Sequence, residues 1–339
     1  MKKHTVLAAL ISSLLFFSSC SSAEQSSMSL PLPENDERGF EYGEDFYIPP
    51  VVKGYEYTCE AVRFKKEQLE PFVDHVFGDG AYLRGDYDSE AEDIGFYMWL
   101  SHDQNRDVGV EINSFYFYDM ELENELAGDD EISQGDYIYE SAFLSTDVVL
   151  DGELYTLSEL CDETLHFVQG CMNNMGTDVQ FTPLKASISK TQDERAVSVT
   201  FYFSQKAEDI VIGGSTIVDY GDDMTVPRQQ IRVSAAGNGR FTLLQAGPLM
   251  TSIKEKEEKA VIACSDALEA AGKKLGTKTR DITLLYSRLE YIPIEGDLEL
   301  LTLTPFWAFY GIGKNGEVRI SVNAVSGEVG LTETEPGMT

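Results

Sequence analysis

The sequence predicts an α+β chain in which a helix followed by several strands occurs three times. Two observations carry this. Apolar residues return at helical spacing in three stretches that each end at glycine, and each stretch is followed by runs in which apolar and polar residues alternate, the period of a half-buried strand. Helices set against antiparallel sheets define the α+β class. With 42% hydrophobic and 11% aromatic residues, the 339-residue chain has the material for two or three cores. What repeats is the pattern; no residue-level repeat accompanies it.

The first unit is expected over residues 46–150. It opens on a strand over residues 51–62, followed by a helix over 65–77 whose apolar residues are Leu69, Phe72, Val73, Val76 and Phe77, with Gly78 and Gly80 stopping it. Strands are expected over 95–101 and 108–118, and the acidic stretch 119–135 reads as a loop. The second unit, residues 151–248, has the clearest helix. Thr156 and Glu159 stand at the spacing of a capping box, Leu157, Leu160, Cys161, Leu165, Val168, Cys171, Met172 and Met175 follow at helical spacing, and Gly176 ends it. Strands are expected over 182–189, 196–203, 210–218, 229–235 and 241–244. The third unit, residues 249–333, is expected to start its helix at Ser252 and Glu255, with Val261, Cys264, Leu268, Ala271 and Leu275 on one face and Gly276 after it. Its strands are expected over 282–291, 298–310, 318–324 and 328–331, with 334–339 as a polar tail.

The N-terminus carries the sharpest signal. Lys2 and Lys3 precede an apolar run over residues 6–17, and Ser18-Ser19-Cys20 closes it. Charge, apolar stretch and small residues in that order read as a signal peptide over residues 1–19. The run is well short of the roughly 20 residues a spanning helix needs. A cysteine directly after the small residues resembles the lipobox of bacterial lipoproteins. That resemblance implies cleavage before Cys20, a diacylglycerol on its thiol, and a body held on the extracytoplasmic side of a cell membrane. Residues 20–45 are polar, contain Pro31 and Pro33, show no apolar period, and read as a flexible stalk.

The formal net charge is −32, and loss of Lys2 and Lys3 with the first 19 residues lowers it by two. Nucleic acid is therefore excluded as a partner, since its binding needs a basic patch to replace counterions. Basic peptides remain compatible. The remaining cysteines, Cys59, Cys161, Cys171 and Cys264, show no metal spacing, and the four histidines supply none, so no zinc site or other cofactor is expected. Cys161 and Cys171 would lie about 15 Å apart on one helix, too far for a bridge. Buried free thiols are the expected state. The acidic run over residues 86–93 lacks the glycine and terminal glutamate of a calcium loop, having Ala91 and Tyr97 at those places, and reads as a solvated loop. Asp219, Asp222 and Asp223 read likewise. Cys171 and His166 share a helix without the orienting partner that a nucleophile needs. No catalytic residue is assigned.

Towards the C-terminus stand Tyr291-Ile292-Pro293, Leu303-Thr304-Pro305-Phe306-Trp307-Ala308-Phe309 and Val322-Asn323-Ala324-Val325-Ser326-Gly327-Glu328-Val329. Together they resemble the C-terminal module of PepSY-like and YycI/YycH-like extracytoplasmic proteins of Gram-positive bacteria. The resemblance implies a cystatin-like fold, a helix on a curved antiparallel sheet, and a role in binding or restraining other extracytoplasmic proteins. The residues make physical sense in such a module. Gly327 supplies a positive φ for a short hairpin, Asn323 and Ser326 can bond its backbone, Pro305 belongs at an edge or bulge, and Trp307 reads as a core aromatic. The functional expectation is a membrane-anchored lipoprotein that binds or regulates another protein without catalysis. The alternatives are a cell-wall or polysaccharide hydrolase using paired carboxylates, and a solute-capture lipoprotein.

Overall fold

The computed structural model describes residues 39–44, 46–50, 53–62, 66–77, 81–83, 96–101, 105–111, 114–128, 131–174, 180–208, 210–213, 231–247, 249–295, 300–314 and 316–333. In chain order these form β1 (Glu41–Tyr42), β2 (Gly54–Ala61), α1 (Lys66–Phe77), β3 (Ala81–Leu83), β4 (Phe96–Ser101), β5 (Arg106–Glu111), β6 (Ser114–Asp119), α2 (Met120–Ala127) and β7 (Ile132–Tyr139). A 3-10 turn at Glu140–Ser145 leads to β8 (Asp147–Leu150), β9 (Glu153–Thr156), α3 (Leu157–Asn174), β10 (Phe181–Thr191), β11 (Ala196–Ala207), β12 (Ile210–Val211), β13 (Ile231–Gly237) and β14 (Arg240–Ala246). The chain ends with β15 (Met250–Lys259), α4 (Cys264–Leu275), a 3-10 turn at Gly276–Asp281, β16 (Thr283–Glu295), β17 (Leu300–Gly313), β18 (Gly316–Asn323) and β19 (Val329–Glu333).

The fold is α+β and mostly sheet. Ten strands form one sheet in the order β3-β4-β5-β6-β14-β13-β11-β10-β7, with β12 beside β11; seven form a second, in which β1-β16-β17-β18-β19 is joined by β2 and β15. Helices α1 and α3 bury Phe72, Val73, Phe77, Leu157, Leu160, Val168 and Met172 in the core of the ten-stranded sheet. Helix α4 buries Cys264, Ala267, Leu268 and Ala271 against Trp307, Phe309, Ile320 and Val322 of the other sheet. A third, smaller core joins the sheets, with Tyr57 and Cys59 from β2, Ala207 from β11, Met250 from β15, Tyr291 from β16 and Leu303 from β17.

Three units were expected from the pattern, but the strands of residues 46–150 and 151–248 meet in one sheet through the β6–β14 ladder. The boundary near residue 150 therefore separates no sheet. Moreover, β1 runs parallel to β16, and β2 pairs with both β15 and β17, so the first described strands belong to the C-terminal sheet. The topology is nested: β3 to β14 lie between β2 and β15, which are themselves neighbours, and Val62 N–H donates to Leu249 O at 2.7 Å where the intervening chain leaves and returns.

Two expected elements are corrected. Residues 119–135 hold α2 and the start of β7 instead of a loop. Asp119 accepts from Leu122 N at 2.9 Å as the N-cap, Glu121 and Glu123 occupy the first turn where the helix dipole favours acid, and Gly128 closes the helix at φ 65°. The helix expected from Ser252 begins instead at Cys264, and Met250–Lys259 is strand β15. Its Lys and Glu residues favour helix in isolation, but pairing with β2 brings opposite charges together: Lys254 with Glu60 at 2.8 Å, Lys259 with Glu56 at 3.5 Å.

Other expectations match the structure. Thr156 and Glu159 form the reciprocal capping box, Glu159 N donating to Thr156 Oγ1 at 3.2 Å and Thr156 N to the Glu159 carboxylate at 3.0 Å. Asn323 Oδ1 accepts from Val325 N and Ser326 N, and Gly327 has φ 75°. Trp307 is fully buried and its Nε1–H donates to Ile262 O at 2.9 Å. Pro305, however, departs from the expected edge or bulge: it lies within central strand β17, paired with Tyr291 without a register shift, at the point where the other side of β17 changes partner from β2 at residues 300–303 to β18 at residues 306–313, so that its missing N–H leaves no ladder bond unmade there.

Candidate functional site

Among the described residues, an open concavity is built where β5, β6, α2, α3 and β14 converge. Arg106 at the start of β5 faces Asp119 at the end of β6 across the ladder. Because Asp119 also caps α2, the chain turns there directly into a helix that sets Glu121, Leu122 and Glu125 on one side. The tight β13–β14 turn, with Asn238 and Gly239 both at positive φ, delivers Arg240 and Phe241 opposite. Phe167 of α3 stacks on Phe241, ring centres 4.0 Å apart and planes within 11°. The resulting groove encloses about 540 Å³ over a floor of Phe117, Phe167 and Phe241. That is the size of site that accepts a small ligand or a few side chains of a partner.

Its charges are unequally free. Arg240 Nη2 bonds Asp151 at 2.8 Å, and Nη1 lies 4.0 Å from Glu125. The guanidinium of Arg106 lies over the Phe77 ring at 5.6 Å, and its Nε is buried with no hydrogen-bond partner among the described residues. On the opposite side of α2, Glu123 is pushed up by burial, partly offset by Arg232, and accepts from the Tyr118 hydroxyl. Glu121 and Glu125 remain exposed at the rim.

A second cluster is closed. Alternation along β16 places Tyr286, Arg288 and Glu290 on one face, and Tyr310 and Arg319 on β17 and β18 reach the same place. Glu290 is fully buried, accepting from Arg319 Nη2 and from the Tyr310 hydroxyl, both at 2.6 Å, and from Arg288 Nε. Burial alone would push its carboxyl up; the two guanidiniums and the Tyr310 hydroxyl outweigh this and hold it down to about 2. Tyr286 and Tyr310 stack at 4.6 Å with Arg288 over both rings. Gly213, which follows β12, lies against this cluster: a Cβ there would collide with Glu290 Oε2 and come 2.8 Å from Arg319 Nη2. The network therefore ties the end of β12 to the C-terminal sheet.

Cys20, the residue expected to carry lipid, lies outside the described residues, as do the acidic runs 86–93 and 219–223. Cys59, Cys161, Cys171 and Cys264 are all free and buried. Burial pushes the thiols of Cys59, Cys161 and Cys171 up to about 12, so they stay protonated at neutral pH. Cys171 faces the core while His166 is exposed, so the two do not form a pair. Among the described residues no helix is long and apolar enough to cross a membrane.

Neither the groove nor the buried cluster was anticipated from the sequence. The cluster had a readable signal, Tyr286-x-Arg288-x-Glu290 alternating within a strand, which puts three polar residues on one face. The groove had only a partial one, since Asp119 followed by Glu121 and Glu123 is a helix-start pattern but four other elements complete the site.

No family model and no curated protein matches the chain. Among solved structures, an uncharacterized protein from Eubacterium rectale ATCC 33656 is similar at 13% identity and TM-score 0.55, over 84% of this chain and 86% of that one. The Bacillus megaterium YpeB C-terminal domain aligns at 11% identity and TM-score 0.35, over 80% of this chain and 99% of that one. The first likeness is one of fold.

Proposed function

We propose that the chain is an extracytoplasmic lipoprotein, attached to a cell membrane through Cys20, that acts by contact with another protein and carries out no chemical step. The observation that carries this reading is the open groove, an aromatic floor under a rim of charged side chains, which suits recognition. The state of the buried carboxylate Glu290 favours the same reading over a paired-carboxylate hydrolase. It is sealed from solvent and each oxygen is engaged by an arginine, so it has no route to a substrate. We read the C-terminal helix and sheet as a PepSY-like module on the strength of the buried Trp307, the partner change at Pro305 and the hairpin over residues 323–327.

Two measurements test this. Cys20→Ala should move the protein from the membrane to the soluble fraction and remove lipid mass from its N-terminal peptide; unchanged membrane association without lipid would overturn the anchor. Cross-linking in intact cells should trap a reproducible protein partner, while screens on peptidoglycan and polysaccharides give no turnover. Turnover abolished by one Asp or Glu substitution in a folded variant would replace this reading with the hydrolase.

A further inference from the structure

We infer that the groove between α2 and the β13–β14 turn binds a basic, aromatic-containing segment of a partner polypeptide. The inference rests on the contact reading above and assigns it a place and a chemistry. The floor sets the first requirement. Phe117, Phe167 and Phe241, with Leu122 beside them, form the apolar part of a groove of about 540 Å³, room for one or two large side chains but not for a folded domain. An aromatic residue of the partner would continue the Phe167–Phe241 stack.

The rim sets the second requirement. Arg240 bonds Asp151 and lies 4.0 Å from Glu125, while Glu121 and Glu125 are both exposed on α2, and a Glu163 oxygen lies 3.5 Å from where a Gly239 Cβ would sit. Every charged residue from 119 to 140 is Asp or Glu. Flanking Lys or Arg residues of a partner would find carboxylates on the helix side of the groove. The field of the chain, formally −32, would speed the encounter with such a segment.

The same charges weigh against other occupants. A second copy of the chain brings its own acidic surface, and the segment after Cys20 carries Glu24, Glu34, Asp36 and Glu37 against the single basic Arg38. Both would be repelled.

The test is a fluorescence-anisotropy titration of the full chain in nanodiscs of neutral lipid with three labelled peptides: Lys-Phe-Lys-Leu-Lys, its counterpart with Glu for each Lys, and Lys-Gly-Lys-Gly-Lys. The first should bind roughly tenfold or more tightly than either other peptide, and less tightly as salt rises. Glu121→Gln combined with Glu125→Gln, both at exposed positions and checked for a parent-like melt, should remove most of that preference; Phe241→Ala should weaken the first peptide alone. Equal binding of all three peptides, tighter binding of the acidic one, or a double variant that binds as the parent does would each overturn the inference. The contact reading is decided separately: a cross-linked partner retained by the double variant leaves contact standing and removes the groove.

Discussion

Replacing Glu290 by Gln removes a single charge while keeping the shape of a side chain that is fully buried and bonded to Arg288, Arg319 and Tyr310. The change leaves two guanidiniums, one of them buried, sharing a neutral amide. Breaking a buried ion pair in this way costs roughly 3–5 kcal/mol. A second route gives a similar figure. The carboxyl is held down to about 2 from an ordinary 4.5, a difference worth about 3 kcal/mol of folding free energy. Because the folded-state value lies below the unfolded one, this contribution is fully present above about pH 4.5 and is lost as pH falls towards 2. The assay is urea unfolding of parent and Glu290→Gln at neutral pH and at steps down through that window, followed by near-ultraviolet signals of the Tyr286–Tyr310 stack. At neutral pH the variant's midpoint should fall by about 1 M, taking a slope of about 3 kcal/mol per molar urea. The gap between the two proteins should then close as the parent's carboxyl takes up its proton. Equal midpoints at neutral pH, or a gap independent of pH, would refute the argument.

Gly213→Ala should destabilise by about 1–3 kcal/mol, because the added methyl would collide with Glu290 Oε2 and stand 2.8 Å from Arg319 Nη2; thermal melting checks it, and a parent-like melt would mean that the cluster gives way freely. Leu268→Asp places a carboxylate on the fully buried face of α4 opposite Trp307 and Ile320, and should cost several kcal/mol in a denaturant titration.

Local patterns carried much of the secondary structure. The Thr156–Glu159 capping box and the apolar periodicity of residues 157–172 located α3, because a helix keeps its signals within a few residues of one another. The hairpin over residues 323–327 was legible for the same reason. Charge-rich stretches misled in both directions. Residues 119–127 looked like a loop because their carboxylates outweighed the helix-start pattern of Asp119, and residues 252–259 looked helical because the β2 partners that neutralise their lysines lie about two hundred positions earlier in the chain. The partnership of β1 with β16 could not be read locally at all, since a two-residue strand carries no periodicity. The groove was hidden for a related reason: its lining comes from residues 106 to 241, and only the folded ladder brings Arg106, Asp119 and Phe241 to one place.

The nesting of one sheet's chain inside another has a kinetic consequence. During synthesis β2 emerges long before β15 and β17, so its hydrogen-bonding edges wait unpaired while residues 62–249 are made. Closing so long a flexible loop is slow and entropically unfavourable, although each doubling of length adds only about 0.6 kcal/mol. If the strands between fold first, however, Val62 and Leu249 are already held 2.7 Å apart, N to O, and β15 starts beside β2. The intervening chain would then act as a rigid clasp that sets the register of the outer sheet. Mutations that slow its folding should therefore delay closure of the C-terminal sheet, even when they lie far from any residue of that sheet.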